Sequence, residues 1–234
     1  PRLGCCPVKL MPLLYTEQDI QDWRRALFES QKPYIRISNI LSVDEISALQ
    51  HRWVHMPTAG FEPFVPNFNL NVQSPNYCNG LENVFQGFYM LPWNKPADHF
   101  THELCLEIHR LRNRLEGKPA FSGLFPYQDR FLHYRVLHSI NGISHVPTHA
   151  DFTADPPPKA LSAHVSDPGR IQATLLLSEH GIDYTGTGFC FPEQPSEYRH
   201  PCVGATSGDL LLWRYTENHA VQSVHSDAEK IGFL

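Results

Sequence analysis

The chain has 234 residues, with 19 Lys and Arg against 24 Asp and Glu for a net charge of −5 at pH 7. At 41% hydrophobic and 18% charged, its composition is that of an ordinary globular protein and argues against disorder. No run of Lys and Arg exceeds two, so neither a nucleic-acid face nor a polybasic membrane patch is predicted.

No apolar run approaches the ~20 residues that a membrane span needs. The opening stretch "PRLGCCPVKLMPLL" lacks the uninterrupted apolar core of a signal peptide. The six cysteines (Cys5, Cys6, Cys78, Cys105, Cys190 and Cys202) contain no C-x-x-C pair, so they form neither a zinc ribbon nor a disulfide framework. A reducing, cytoplasmic setting is the expectation. Twenty prolines argue for many loops and against a helical bundle.

Residues 16–29 place Ile20, Trp23, Leu27 and Phe28 near helical spacing, with Thr16 as the N-cap. "PYIRISNIL" (33–41) reads as a short strand. Ser42 and Glu45 form a capping box that opens a helix over "SVDEISALQHRWVHM". Residues 58–96, rich in Pro, Asn, Gly and aromatics, read as long loops and short strands facing a substrate. A longer helix follows at about 97–116, with Phe100, Leu104, Ile108, Leu111 and Leu115 on one stripe and Gly117 as its stop.

Beyond Gly117 the pattern changes to short strand-like runs: "RFLHYRVL", "RIQATLLLS", "TGFCF", "DLLLW", "AVQSV" and "KIGFL". Helices first and many strands afterwards predict a mainly β domain with flanking α-helices, an antiparallel sandwich or barrel. No linker divides the chain, so a single domain over 1–234 is expected. Residues 1–117 would carry the N-terminal helices and substrate-facing loops, and 118–234 the β core.

Within "SHVPTHADF" (144–152), His149 and Asp151 are spaced i, i+2 and would point the same way from a strand. An imidazole and a carboxylate together are two ligands for a divalent transition metal. A third is expected from a neighbouring strand, and His219 in "GDLLLWRYTENHAVQSV" is the candidate, with His225 a nearby competitor. His145 lies four residues before His149, across Pro147, and its direction is open.

The order H-x-D, about seventy residues of strands, then Gly-Asp, an apolar run and a histidine resembles the Fe(II)/2-oxoglutarate-dependent oxygenases. The resemblance covers roughly 120–234. "TGTGFCF" is similar to the family's Gly-rich turn into a strand, and "GDLLLW" to the strand entry before the distal histidine. The front part, a strand then "LSVDEISALQ", is similar to the phytanoyl-CoA and prolyl hydroxylase branches. The resemblance implies a double-stranded β-helix, a distorted jelly roll of cupin type, with Fe(II) held by a facial triad of His149, Asp151 and His219 as the catalytic metal ligands. Three free positions would then take a chelating 2-oxoglutarate and O2. A C–H bond is oxidised while the co-substrate leaves as succinate and CO2. With Asp151 in place of a small residue, no position is vacated for chloride, which argues for hydroxylation or a related oxidation over halogenation.

The far carboxylate of 2-oxoglutarate needs a cation, and the resemblance places one about ten residues after the distal histidine. Lys230 occupies that place, on one face with Gly232; Arg135, or an arginine beyond Leu234, is the alternative. Tyr134, Gln172 and Thr174 are candidate 2-oxoglutarate partners because each falls on a face where polar groups alternate with apolar ones. Trp213 and Arg214 would border the substrate pocket. "FTADPPPKALSAHVSDPGR" (152–170), with three successive prolines, reads as a loop over the site.

The primary substrate is expected to be a small organic molecule, an amino acid or a peptide. Competing readings are a zinc hydrolase built on "THAD", a cupin-like metal enzyme independent of 2-oxoglutarate, and a non-catalytic β-sandwich binding module. Oligomeric state is not readable from the sequence.

Overall fold

A computed structural model of the chain describes residues 15–63, 71–79, 85–126, 132–140, 142–152, 167–226 and 230–233. Most of the proline-rich loop, the N-terminal cysteine pair, and Phe64 and Phe68 of the aromatic stretch lie outside the described residues.

The front of the chain supplies helices α1 (Glu17–Arg24), α2 (Val43–Val54) and α3 (His99–Leu115), interleaved with strands β1 (Tyr34–Ile37), β2 (Glu62–Pro63), β3 (Tyr77–Cys78) and β4 (Phe85–Met90). The back supplies β5 (Tyr134–Ile140), β6 (Val146–His149), β7 (Ile171–Leu175), β8 (Thr185–Gly186), β9 (Phe189–Cys190), a short α4 (Ser196–Arg199), β10 (Leu210–Arg214), β11 (His219–Val221), β12 (Val224–His225) and β13 (Lys230–Phe233). The fold is mainly sheet with few helices, as expected.

The helix starts follow from their caps. Thr16 and Ser42 each accept from the backbone three residues on, and Asp19 and Glu45 reach back to the cap N–H, so both form capping boxes. Asp98 caps α3 through Thr101 N–H. One feature carries no sequence signal: α1 runs into a π-helical turn, Arg25–Glu29, before Ser30.

Two sheet groups carry the core. In one, β10 pairs antiparallel with β1 on one side and β7 on the other. In the second, the order is β13-β5-β4-β3-β2. Ser178 links them, its hydroxyl donating to the Gly232 carbonyl at 2.9 Å. The third group, β6-β11-β9, carries the distal histidine at its centre, and β12 pairs with β8.

Helices α1 to α3 cover one face of the first two groups. Leu104, Ile108, Leu111 and Leu115 of α3 pack with Ile171 and Leu175 of β7, Leu210 and Leu212 of β10, and Tyr134 and Val136 of β5. The Trp53 indole of α2 donates to the Thr101 hydroxyl of α3 at 2.8 Å, which fixes the two helices to each other. The opposite face of β10 packs Leu211 and Trp213 against Phe191, Leu176, Cys202 and Ala205. Strand β10 is therefore buried on both sides, which is why "LLLW" is continuously apolar instead of alternating. Each fully buried Leu of this strand contributes about 2 kcal/mol relative to exposure.

Candidate metal centre and cavity

His149 ends β6, and His219 opens β11 directly opposite it in the antiparallel register. The next pair in that ladder is Val221 with Val146: two steps on β11 against three on β6. The extra residue is a bulge at Pro147–Thr148, which turns the strand end toward its partner. The two imidazole rings lie 4.4 Å apart, centroid to centroid. Asp151 stands beyond the strand, in a bend, so it does not reach the same side through strand alternation alone. Phe152 N–H donates to the Tyr215 carbonyl at 3.0 Å, pinning the segment to the turn after β10. As a result one ligand atom from each of His149, Asp151 and His219 lies within 4.8 Å of the others.

Tautomers follow from the partners. His149 Nδ1 lies 2.9 Å from the Pro147 carbonyl, and His219 Nδ1 lies 3.0 Å from the Glu217 carbonyl. A carbonyl oxygen only accepts, so each Nδ1 carries the proton and each Nε2 presents a lone pair. His219 Nε2 is 3.8 Å from Asp151 Oδ2. Burial holds the His219 imidazole below its ordinary pKa, the neutral form a metal requires. Gln172 donates from Nε2 to Asp151 Oδ2 at 3.3 Å and orients the carboxylate. Phe189 and Trp213 pack on the His219 ring at 5.7 and 5.6 Å. This donor set, two imidazoles and one carboxylate with both imidazoles held from behind, fits a divalent first-row metal.

The cluster opens on a cavity of about 460 Å³, lined from all three sheet groups and from α3. That volume lies within the range of small-molecule sites, roughly 300–1,000 Å³. Arg112, Arg135 and Arg170 are its cationic lining residues, and Asp151 its only carboxylate among the described residues. Arg170 is tied to the buried Glu116 at 3.0 Å, and Arg112 donates from Nε to the Ile171 carbonyl at 2.8 Å. Arg135 makes no ion pair among the described residues, and it is exposed.

The other expected site residues separate into two groups. Gln172 and Thr174 line the cavity beside the cluster. Tyr134 borders it too, but its hydroxyl is turned to α3, 3.0 Å from His102 Nδ1, among the core residues. Lys230 opens β13 opposite Ile140 of β5. Gly232 of the same strand stands against the His138 ring. The Lys230 side chain itself lies outside the described residues. Trp213 lines the cavity, whereas Arg214 turns to Glu217. His145 is exposed and outside the cluster, as is His225.

No protein-family model matches the sequence, and no curated protein matches it. Solved structures do. A prolyl-4-hydroxylase from Pseudomonas putida aligns over 92% of this chain and 95% of its own, at 15% identity and a TM-score of 0.52. The chain shares the fold of that prolyl-4-hydroxylase. A 2OG-Fe(II) oxygenase family oxidoreductase from Burkholderia pseudomallei aligns over 94% of this chain and 89% of its own, at 11% identity and a TM-score of 0.49. The non-heme alpha ketoglutarate dependent carbocyclase SnoK aligns over 94% and 82%, at 16% identity and a TM-score of 0.49. The shared fold spans the helical front of the chain as well as the strands. Among the described residues no helix is long and apolar enough to cross a membrane.

Proposed function

We propose that the chain is a single-domain Fe(II)- and 2-oxoglutarate-dependent oxygenase with a double-stranded β-helix core. It oxidises a C–H bond of a small organic, amino-acid or peptide substrate and releases succinate and CO2. The observation that carries this reading is the convergence of His149, Asp151 and His219, with both Nδ1 protons committed to carbonyls and both Nε2 atoms available. Fe(II) would be held by those two Nε2 atoms and the Asp151 carboxylate. When bound there, iron supplies dioxygen activation coupled to oxidative decarboxylation of 2-oxoglutarate.

The chain's own residues do the remaining work. Gln172 keeps the Asp151 carboxylate oriented, and Phe189 and Trp213 keep water from the His219 side. Thr174, beside Gln172 on the cavity wall, offers a hydroxyl to the co-substrate. Its far carboxylate takes a cation, Lys230 in the sequence position where the family keeps one, or Arg135 on the cavity wall. Tyr134, whose hydroxyl is engaged by His102, acts through packing.

Succinate release from 2-oxoglutarate tests the reading. His149→Ala, Asp151→Ala and His219→Ala should each abolish it while leaving the circular dichroism spectrum unchanged. A variant that folds and keeps full activity removes its residue from the metal set.

A further inference from the structure

On the cavity wall, β3, β4 and the residue just before β5 place three rings together. The register pairs Tyr77 with Tyr89 and Tyr89 with Arg135, and His133 stands two positions before Arg135 on the same face. The rings are nearly parallel: Tyr77 and Tyr89 stack at 4.7 Å and 3°, and Tyr89 and His133 at 5.4 Å and 19°. Tyr77 and His133 complete the triangle at 6.0 Å and 21°. Tyr77 is buried behind the other two, while Tyr89 and His133 line the cavity.

A glycine makes the arrangement possible. Gly87 lies between Phe85 and Tyr89 on the cavity face of β4, and a Cβ there would stand 2.6 Å from the Tyr89 ring and 2.7 Å from its hydroxyl. Asn79 grips the same point, donating from Nδ2 to the Phe85 carbonyl at 2.8 Å and accepting from Gly87 N–H. The Tyr89 ring therefore folds back flat along its own strand. Burial pushes His133 down to about 3, with Arg135 adding to the effect, so its ring is a neutral π surface. Phe189 and Trp213 form the other aromatic wall, beside His219.

We infer that Tyr89 and His133 form a stacking platform that selects a planar, conjugated primary substrate, aromatic or heteroaromatic, and lays it between the aromatic walls of the cavity. The inference rests on the oxygenase reading only for what happens to the bound ring. An aliphatic molecule of equal size fills the same volume but forgoes the offset stacking of parallel rings.

The test is a binding measurement on the metal-free chain, by calorimetry, with 2-naphthol and its saturated counterpart decahydro-2-naphthol as probes. Two stacking rings should favour 2-naphthol by about fivefold or more. Tyr89→Phe keeps the ring and should keep the preference. Tyr89→Leu removes it, and Gly87→Ala displaces it, so both should bring the two affinities together. Should Tyr89→Leu fail to fold, Gly87→Ala and Tyr89→Phe still give opposite expectations. Equal affinities in the parent chain, no binding of either probe, or a preference that survives in Tyr89→Leu or Gly87→Ala would overturn the inference. Because no iron or 2-oxoglutarate is present, that result would leave the oxygenase reading standing. Conversely, failure to bind iron would leave a selective aromatic site without its chemistry.

Discussion

Glu116 offers a sharp test of the electrostatics that hold the cavity's helix side. Its side chain, at the C-terminal end of α3, is 0% exposed. One oxygen accepts from Ile171 N–H at 3.0 Å; the other accepts from Lys118 at 2.8 Å and Arg170 at 3.0 Å. A buried carboxylate at a helix C-terminus faces the negative end of the helix dipole, so these two cations are what make it tolerable. Glu116→Gln removes the charge and turns an amide N–H₂ toward either the Ile171 N–H or two cations. Arg170, with 7% of its side chain exposed, then loses its counter-charge. Breaking such a buried pair costs about 3–5 kcal/mol. Urea unfolding of the parent and Glu116→Gln measures it directly. The double variant Glu116→Leu/Arg170→Met, which removes both charges, should lose less than Glu116→Gln alone. A loss under about 1 kcal/mol in Glu116→Gln would refute the reasoning, since that is the range of exposed pairs.

Other expectations follow from single contacts. His133 is pushed down to about 3 from 6.5, so between those values the unfolded chain binds a proton that the folded chain does not. Stability should therefore fall as pH drops through that window, by about 1.4 kcal/mol per unit. His133→Gln should show a shallower fall between pH 7 and 4.5, and parallel slopes in urea unfolding would contradict this. Tyr134→Phe removes the hydroxyl bonded to His102 and should cost about 1 kcal/mol of stability without changing the apparent affinity for 2-oxoglutarate. A selective rise in its KM would return Tyr134 to the co-substrate site. Lys230→Ala and Arg135→Ala, compared by the same KM, divide the anchoring role, and the one that weakens affinity more is the cation that meets the far carboxylate.

The candidate metal ligands stand out in the sequence because their signal is local: an H-x-D at a strand end and a histidine after a buried apolar run. The reason they converge is not the expected one. Strand alternation ends at His149, and the bulge at Pro147–Thr148 with the Phe152–Tyr215 hydrogen bond brings Asp151 in. Alternation also shows which residues share a face without showing which face is the cavity. Tyr134 does share its face with Val136 and His138, but that face meets α3, whereas Arg135 and Leu137 on the other face line the cavity. The same ambiguity applies to Lys230, whose position depends on the pairing of β13 with β5. Strand β4 was hidden because Gly87 interrupts its pattern within a Pro- and Asn-rich region, and with it went the stacked Tyr77, Tyr89 and His133. The Glu116–Arg170 pair, 54 residues apart in sequence, leaves no local trace at all.

The proposed function requires bidentate capture of 2-oxoglutarate at an iron held by His149, Asp151 and His219. Anaerobic titration of the metal-free chain with Fe(II) and then 2-oxoglutarate, followed by visible absorption, tests it most directly. A weak charge-transfer band that requires both additions and is lost in His219→Ala is the predicted result. Iron binding with no band on adding 2-oxoglutarate, or a band that persists in His219→Ala, would contradict it.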